Sequence, residues 1–175
     1  MSSIHTTARR DYRNKAGQRL PGVTTVIDSN LGWNKRALVH WANQQGLDGI
    51  DCREVTRQAA DIGTLAHAMV EADLKGLDWT SLVRLDGVTD DMLDKATVAF
   101  RAWQEWKRLV NFELLACEHQ LVSERLQVGG TIDVAVVQTR RSIVDIKTSS
   151  AVYPEHRIQV AAYGLLWNEI GRAHV

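Results

Sequence analysis

Cysteine is scarce in this 175-residue chain: Cys52 and Cys117 stand far apart and form no Cys-x-x-Cys pair. That argues against a disulfide framework, a zinc knuckle or an iron–sulfur cluster, and it fits a reducing cytosol. Cys117, beside Leu114, Leu115 and Ala116, reads as a small core residue. An excess of either charge is missing too. Lys plus Arg (21) balance Asp plus Glu (21), so no global positive field advertises a nucleic-acid partner. No apolar run approaches bilayer-spanning length, and nothing reads as a signal peptide. Internal repeats and low-complexity segments are absent. So is a Gly-x-x-x-x-Gly-Lys-[Ser/Thr] loop, and ATP is therefore not implied. The expectation is a soluble, cytoplasmic protein without a membrane partner, with residues 1–175 forming one domain large enough to bury a core.

Basic residues gather only locally. Arg9, Arg10, Arg13, Lys15 and Arg19 lie near the start, followed by Lys35-Arg36, Arg101 with Lys107-Arg108, and Arg140-Arg141. Each cluster taken singly reads as solvated surface. Residues 1–20 show no sustained period and read as flexible or as a short strand. Residues 20–27, Leu-Pro-Gly-Val-Thr-Thr-Val-Ile, suit either a strand or the entry to a helix. Ala37, Leu38, Trp41 and Ala42 recur at helical spacing until Gly46. A long helical pattern covers Arg53 to Lys75 and ends at Gly76. Within it Gly63 costs about 1 kcal/mol relative to Ala. His67 and Glu71 share one face, which as an isolated pair reads as a half-buried histidine satisfied by its glutamate.

Thr89 suits the N-cap of a helix from Asp90 to about Val110. Asp90 and Asp91 favour its positive end and Lys107-Arg108 its negative end. Met92, Ala96, Ala99, Phe100, Trp103, Trp106 and Val110 form its apolar stripe. Phe112 to Val122 reads as a strand carrying Glu118. Pro154 suits the first position of a helix to about Glu169, with Ile158, Ala161, Ala162, Leu165 and Leu166 on its apolar face and Gln159 and Tyr163 on a neighbouring stripe.

The chemistry concentrates in residues 129–147, Gly-Gly-Thr-Ile-Asp-Val-Ala-Val-Val, a polar break, then Ser-Ile-Val-Asp-Ile-Lys. Both halves are β-branched, so they read as a hairpin. Asp145 and Lys147 fall on one face with Ile146 on the other. If the loop within the break at residues 138–141 has an odd number of residues, for example 138–140, Asp133 falls directly opposite Asp145 on the same face. Two carboxylates so close resist ionising together unless a cation lies between them. Hard oxygen ligands suit Mg²⁺ or Mn²⁺, an ion that polarises a phosphodiester and acidifies water, while Lys147 orients that water. The bland alternative is a surface hairpin with a cross-strand salt bridge, worth little.

The ordered set is Gly-Thr-x-x-His on a helix, Glu on a strand, a Gly-x-x-Asp hairpin, Asp-x-Lys-Thr, and Gln-x-x-x-Tyr on a final helix. It resembles the RecB-type branch of the PD-(D/E)XK nuclease superfamily over residues 60–167. The resemblance implies an α/β protein with a restriction-endonuclease-like α/β/α core, a small mixed sheet flanked by helices. Only about three strands can be counted, which leaves open a form truncated at the C-terminus. It also implies Asp133, Asp145 and the backbone carbonyl of Ile146 as ligands of Mg²⁺ or Mn²⁺, with His67 as a ligand or phosphate contact. Lys147 handles water and the scissile phosphate. Glu118, Gln159 and Tyr163 support the site or contact DNA. Without a cysteine quartet, the chain is similar to cluster-free exonucleases of phages and of mitochondrial genome maintenance. The implied activity is a metal-dependent deoxyribonuclease acting on ends or single strands of DNA, in a bacterial or phage-infected cell, for repair or recombination. A non-catalytic DNA-binding or assembly module on the same fold is the alternative.

Overall fold

The computed structural model describes residues 10–31, 35–80 and 87–171. Five helices and two antiparallel sheets are found among these residues, an α/β arrangement. The described residues divide into two compact units, one within residues 31–103 and the other made of residues 10–30 with 104–171.

The first unit is helical: α2 (Lys35–Leu47), α3 (Cys52–Leu74) and most of α4 (Asp90–Leu109). α3 begins where the Asp51 carboxylate accepts the Arg53 N–H at 2.9 Å. It ends in a Schellman turn, with Leu77 N–H reaching Ala72 O at 2.8 Å and Gly76 at φ +67°. That left-handed backbone is open to glycine and strained for other residues. α4 is capped as its sequence implies, Met92 N–H meeting Thr89 Oγ1 at 3.3 Å. Leu65, Met69 and Val70 of α3 and Met92, Ala96, Phe100 and Trp103 of α4 are buried. Trp103 Nε1–H donates to Asp73 Oδ2 at 2.8 Å, and the Phe100 ring meets Trp79 at 5.3 Å. Gly46 does not stop α2. The helix carries it one residue short of its end, and the chain turns at Gly49, with φ +75°.

The second unit holds β1 (Tyr12–Arg13), β2 (Arg19–Leu20), α1 (Val23–Asn30), β3 (Glu113–Ser123), β4 (Val128–Val137), β5 (Arg141–Val144) and α5 (Pro154–Gly171). β3, β4 and β5 form one sheet with β4 in the middle. β4 is buried from Gly129 to Val136, as a strand covered on both faces must be. The expected mixed sheet has antiparallel ladders, and its parallel component is confined to an isolated bridge between Gly22 and Gly129. α5 packs against all three strands and α1.

Several expectations resolve differently. Residues 12–20 form a small hairpin, closed by Asn14 N–H to Gln18 O at 3.0 Å, which is the strand alternative for the start of the chain; residues 1–9 lie outside the described part. Residues 23–30 are helix, which decides between the two readings left open for that stretch. Cys117 is half-buried rather than core. The inner face of α5 is Tyr163 and Leu166, whereas Ala161 and Leu165 face solvent, Leu165 at 62 % exposure. The tyrosine ring supplies more buried apolar area than the alanine it replaces on that face, and the helix rotates to use it.

The Gly129-Gly130 pair explains how these elements approach so closely. A Cβ on Gly129 would lie 2.3 Å from Tyr12 Cγ, and one on Gly130 would lie 2.6 Å from Tyr163 Cε1. Both contacts are far inside van der Waals distance, so the strand needs glycine at each position to seat a tyrosine.

Candidate active site

The β4–β5 ladder pairs Val134 with Val144 and Val137 with Arg141, leaving residues 138–140 as the loop. Extended by one position, that register sets Asp133 across from Asp145. On the other side of β4, Cys117 pairs with Val134 and His119 with Ile132, so Glu118 stands across from Asp133. Three carboxylates therefore occupy one row across three adjacent segments, at the roughly 5 Å spacing of neighbouring strands. An oxygen of Glu118 lies within 4.8 Å of one of Asp133.

Like charges in such a row repel, and each carboxylate has a donor of its own. Arg10 Nη2 meets Glu118 Oε2 at 2.6 Å. The Ile146 N–H donates to Asp133 Oδ2 at 2.7 Å. Lys147 Nζ meets Asp145 Oδ2 at 2.5 Å, with the Asp145 side chain only 3 % exposed and that of Lys147 29 %. The pair lies within one segment and its acid is buried, unlike an exposed cross-strand salt bridge. Glu118 itself has φ +47°, a left-handed backbone inside a strand. That conformation costs a non-glycine residue about 1–2 kcal/mol, and strain of this kind concentrates at functional positions.

α5 lies behind the row. Gln159 Nε2 donates to Asp145 Oδ1 at 3.2 Å and to the Tyr163 hydroxyl at 3.0 Å, so its two amide protons join the acid to the phenol. The i, i+4 spacing on one helix face makes that bridge possible. Burial pushes the Tyr163 hydroxyl up to about 12, the Gln159 hydrogen bond opposes the shift, and the charges of Tyr12, Asp145 and Asp133 reinforce it. The phenol is accordingly neutral at ordinary pH.

Glu118, Asp133, Asp145, Ile146, Lys147, Gln159 and Tyr163 thus come together in the second unit. Ile146 meets Asp133 through its N–H. His67 lies half-buried on α3, in the first unit, and the carboxylate of Glu71 four residues on is engaged by Lys75 at 2.5 Å. Two residues of the early basic cluster, Arg13 and Arg19, both meet a local acid, Asp11, at 2.7 and 3.4 Å. Sequence reasoning missed Arg10 as the partner of Glu118, and also His156 and Arg157, which line an open groove with Asp145 and Lys147. The arginine had no visible partner along the chain, but His156 and Arg157 stand on the same helical pattern as Gln159.

Hard carboxylate oxygens in a half-buried row, with an ammonium beside them, fit a divalent cation and suit the class of metal-dependent phosphodiester hydrolases. Residues 37–174 match the family model of the PD-(D/E)XK nuclease superfamily, and the chain belongs to that superfamily. Membership makes it a metal-dependent nuclease by family, with DNA as the implied substrate and Mg²⁺ or Mn²⁺ as the usual ion, on a restriction-endonuclease-like fold. No curated protein and no solved structure matches the chain. No helix of the described residues is long and apolar enough to cross a membrane.

Proposed function

We propose that this protein is a DNA exonuclease of the RecB-type branch, hydrolysing phosphodiester bonds at strand ends or in single strands with Mg²⁺ or Mn²⁺. It is akin to the cluster-free enzymes of phages and mitochondrial genome maintenance, and it works in repair or recombination in the cytoplasm of a bacterial or phage-infected cell, without ATP. The observation that carries the reading is the row of Glu118, Asp133 and Asp145 with Lys147 held on the last of them.

In this reading Asp133 and Asp145 hold the ion, aided by the Ile146 carbonyl. Glu118, whose carboxylate neighbours Asp133, extends the donor set beyond the supporting role its sequence position implied. His67 joins on the family pattern. The bound ion supplies positive charge that polarises the phosphate and acidifies water. Lys147, partly exposed and seated on Asp145, orients the attacking water and steadies the negative charge that develops on the phosphoryl oxygens. Gln159 fixes the Asp145 carboxylate from behind. Tyr163, neutral and buried, fixes Gln159 in turn.

The alternative, a non-catalytic DNA-binding or assembly module, gives no role to an ammonium seated on a buried acid beside two further carboxylates. End-labelled single- and double-stranded DNA incubated with and without Mn²⁺ separates the two. A ladder of shortened products that requires the ion supports the nuclease, and binding without any cleavage supports the module.

A further inference from the structure

The groove beside Asp145 and Lys147 contains side chains that the reading above leaves unused. Its volume is about 510 Å³, and Val152, His156, Arg157 and Val160 complete its lining. The two valines give it an apolar floor, and three nitrogen donors stand around that floor. One is Lys147 Nζ. The second is His156, whose Nδ1 accepts the Tyr153 backbone N–H at 3.3 Å. An imidazole that accepts at Nδ1 has Nε2 as its remaining N–H donor. The Tyr153 ring meets it edge-on at 5.4 Å and fixes its plane. The third is Arg157, exposed and without an ion pair among the described residues. Each acid of the nearby row already has a donor, so this guanidinium is surplus to the internal charge balance.

We propose that the groove seats the nucleotide adjoining the scissile phosphate, with Arg157 and the Nε2–H of His156 holding that nucleotide's own phosphate. The inference rests on the nuclease reading above. A guanidinium matches phosphate oxygens with two parallel hydrogen bonds, which a solvated lysine does not. The valine floor offers a sugar or base an apolar surface and no hydrogen-bonding code, so the seat positions a strand without reading its sequence. Its volume lies within the range that encloses a small molecule, the size of a nucleotide and not of a duplex.

The test uses the whole chain and short fluorescent single strands in which one phosphate at a time is replaced by a neutral methylphosphonate. Binding is read by anisotropy in metal-free buffer and cleavage with Mn²⁺. The wild-type protein should lose about tenfold in affinity when one phosphate next to the cleaved bond is neutralised, the loss of a charge-assisted hydrogen bond. Arg157→Ala should lose about as much on the unmodified strand and become indifferent to that methylphosphonate, with Arg157→Lys intermediate. His156→Ala should weaken binding severalfold and His156→Gln, which keeps a side-chain N–H, should recover most of it. In cleavage the losses should fall on KM, with kcat within about twofold. Equal methylphosphonate profiles for wild type and Arg157→Ala, or no strand binding by the wild type, would overturn the groove assignment. A wild-type protein that keeps the binding pattern yet cuts nothing in Mn²⁺ would overturn the nuclease reading instead.

Discussion

Replacing Gly130 by alanine tests how the sheet and the site are joined. The added Cβ would stand 2.6 Å from Tyr163 Cε1, 3.0 Å from Cδ1 and 3.3 Å from Leu166 Cδ1. Carbon atoms rest at about 3.5–4.0 Å, so the ring must move by roughly an ångström. It has little room, since Tyr163 is 5 % exposed and Leu166 1 %. Overpacking of this kind costs about 1–3 kcal/mol, a fall in melting temperature of roughly 2–4 °C for each kcal/mol at this chain length. The ring also carries the hydroxyl that Gln159 bonds, so cleavage should weaken along with stability. Urea titrations of Gly130→Ala, Tyr163→Ala and the double variant isolate the contact. With the ring gone, Gly130→Ala should be neutral or stabilise by a few tenths of a kcal/mol, because no positive φ marks that glycine. An equal loss in both backgrounds would refute the close-approach argument.

Further outcomes follow from the site. Lys147→Ala should lower kcat by about 100-fold or more while leaving the circular-dichroism spectrum unchanged, and a parental rate would remove Lys147 from the chemistry. Mn²⁺ at about one hundred times its dissociation constant should stabilise the wild-type protein by about 2.7 kcal/mol in a thermal-shift assay. Asp133→Asn or Asp145→Asn should abolish that gain, and a shift that survives both would place the ion elsewhere. The Tyr163 hydroxyl gives a signed pH effect. Its folded pKa, about 12, lies above the ordinary value of 10.0, so the native state keeps a proton that the unfolded chain releases. The contribution is fully present below pH 10 and is lost as pH rises toward 12, on the order of 2 kcal/mol. Between pH 9 and 11.5 the wild-type protein should lose about 2 kcal/mol more than Tyr163→Phe in urea titrations, and a parallel pH response would exclude Tyr163 as the source.

Much of this protein was determined by its sequence alone, wherever the information is local. The cap at Thr89, the stop at Gly76, the apolar stripe of α4 and the polar break between the two halves of the hairpin each follow from side chains within a few positions of the feature they set. The Asp133–Asp145 alignment is legible for the same reason, since a period of two and a short loop fix the register. What the tertiary structure decided is which distant groups meet. Arg10 reaches Glu118 across more than a hundred residues of chain, Gly129-Gly130 is explained only by the tyrosines laid on it, and α5 turns Tyr163 inward where its pattern favoured Ala161 and Leu165. No periodicity within one element encodes those choices. They depend on which packing of separate elements buries the most apolar surface while pairing most buried polar groups.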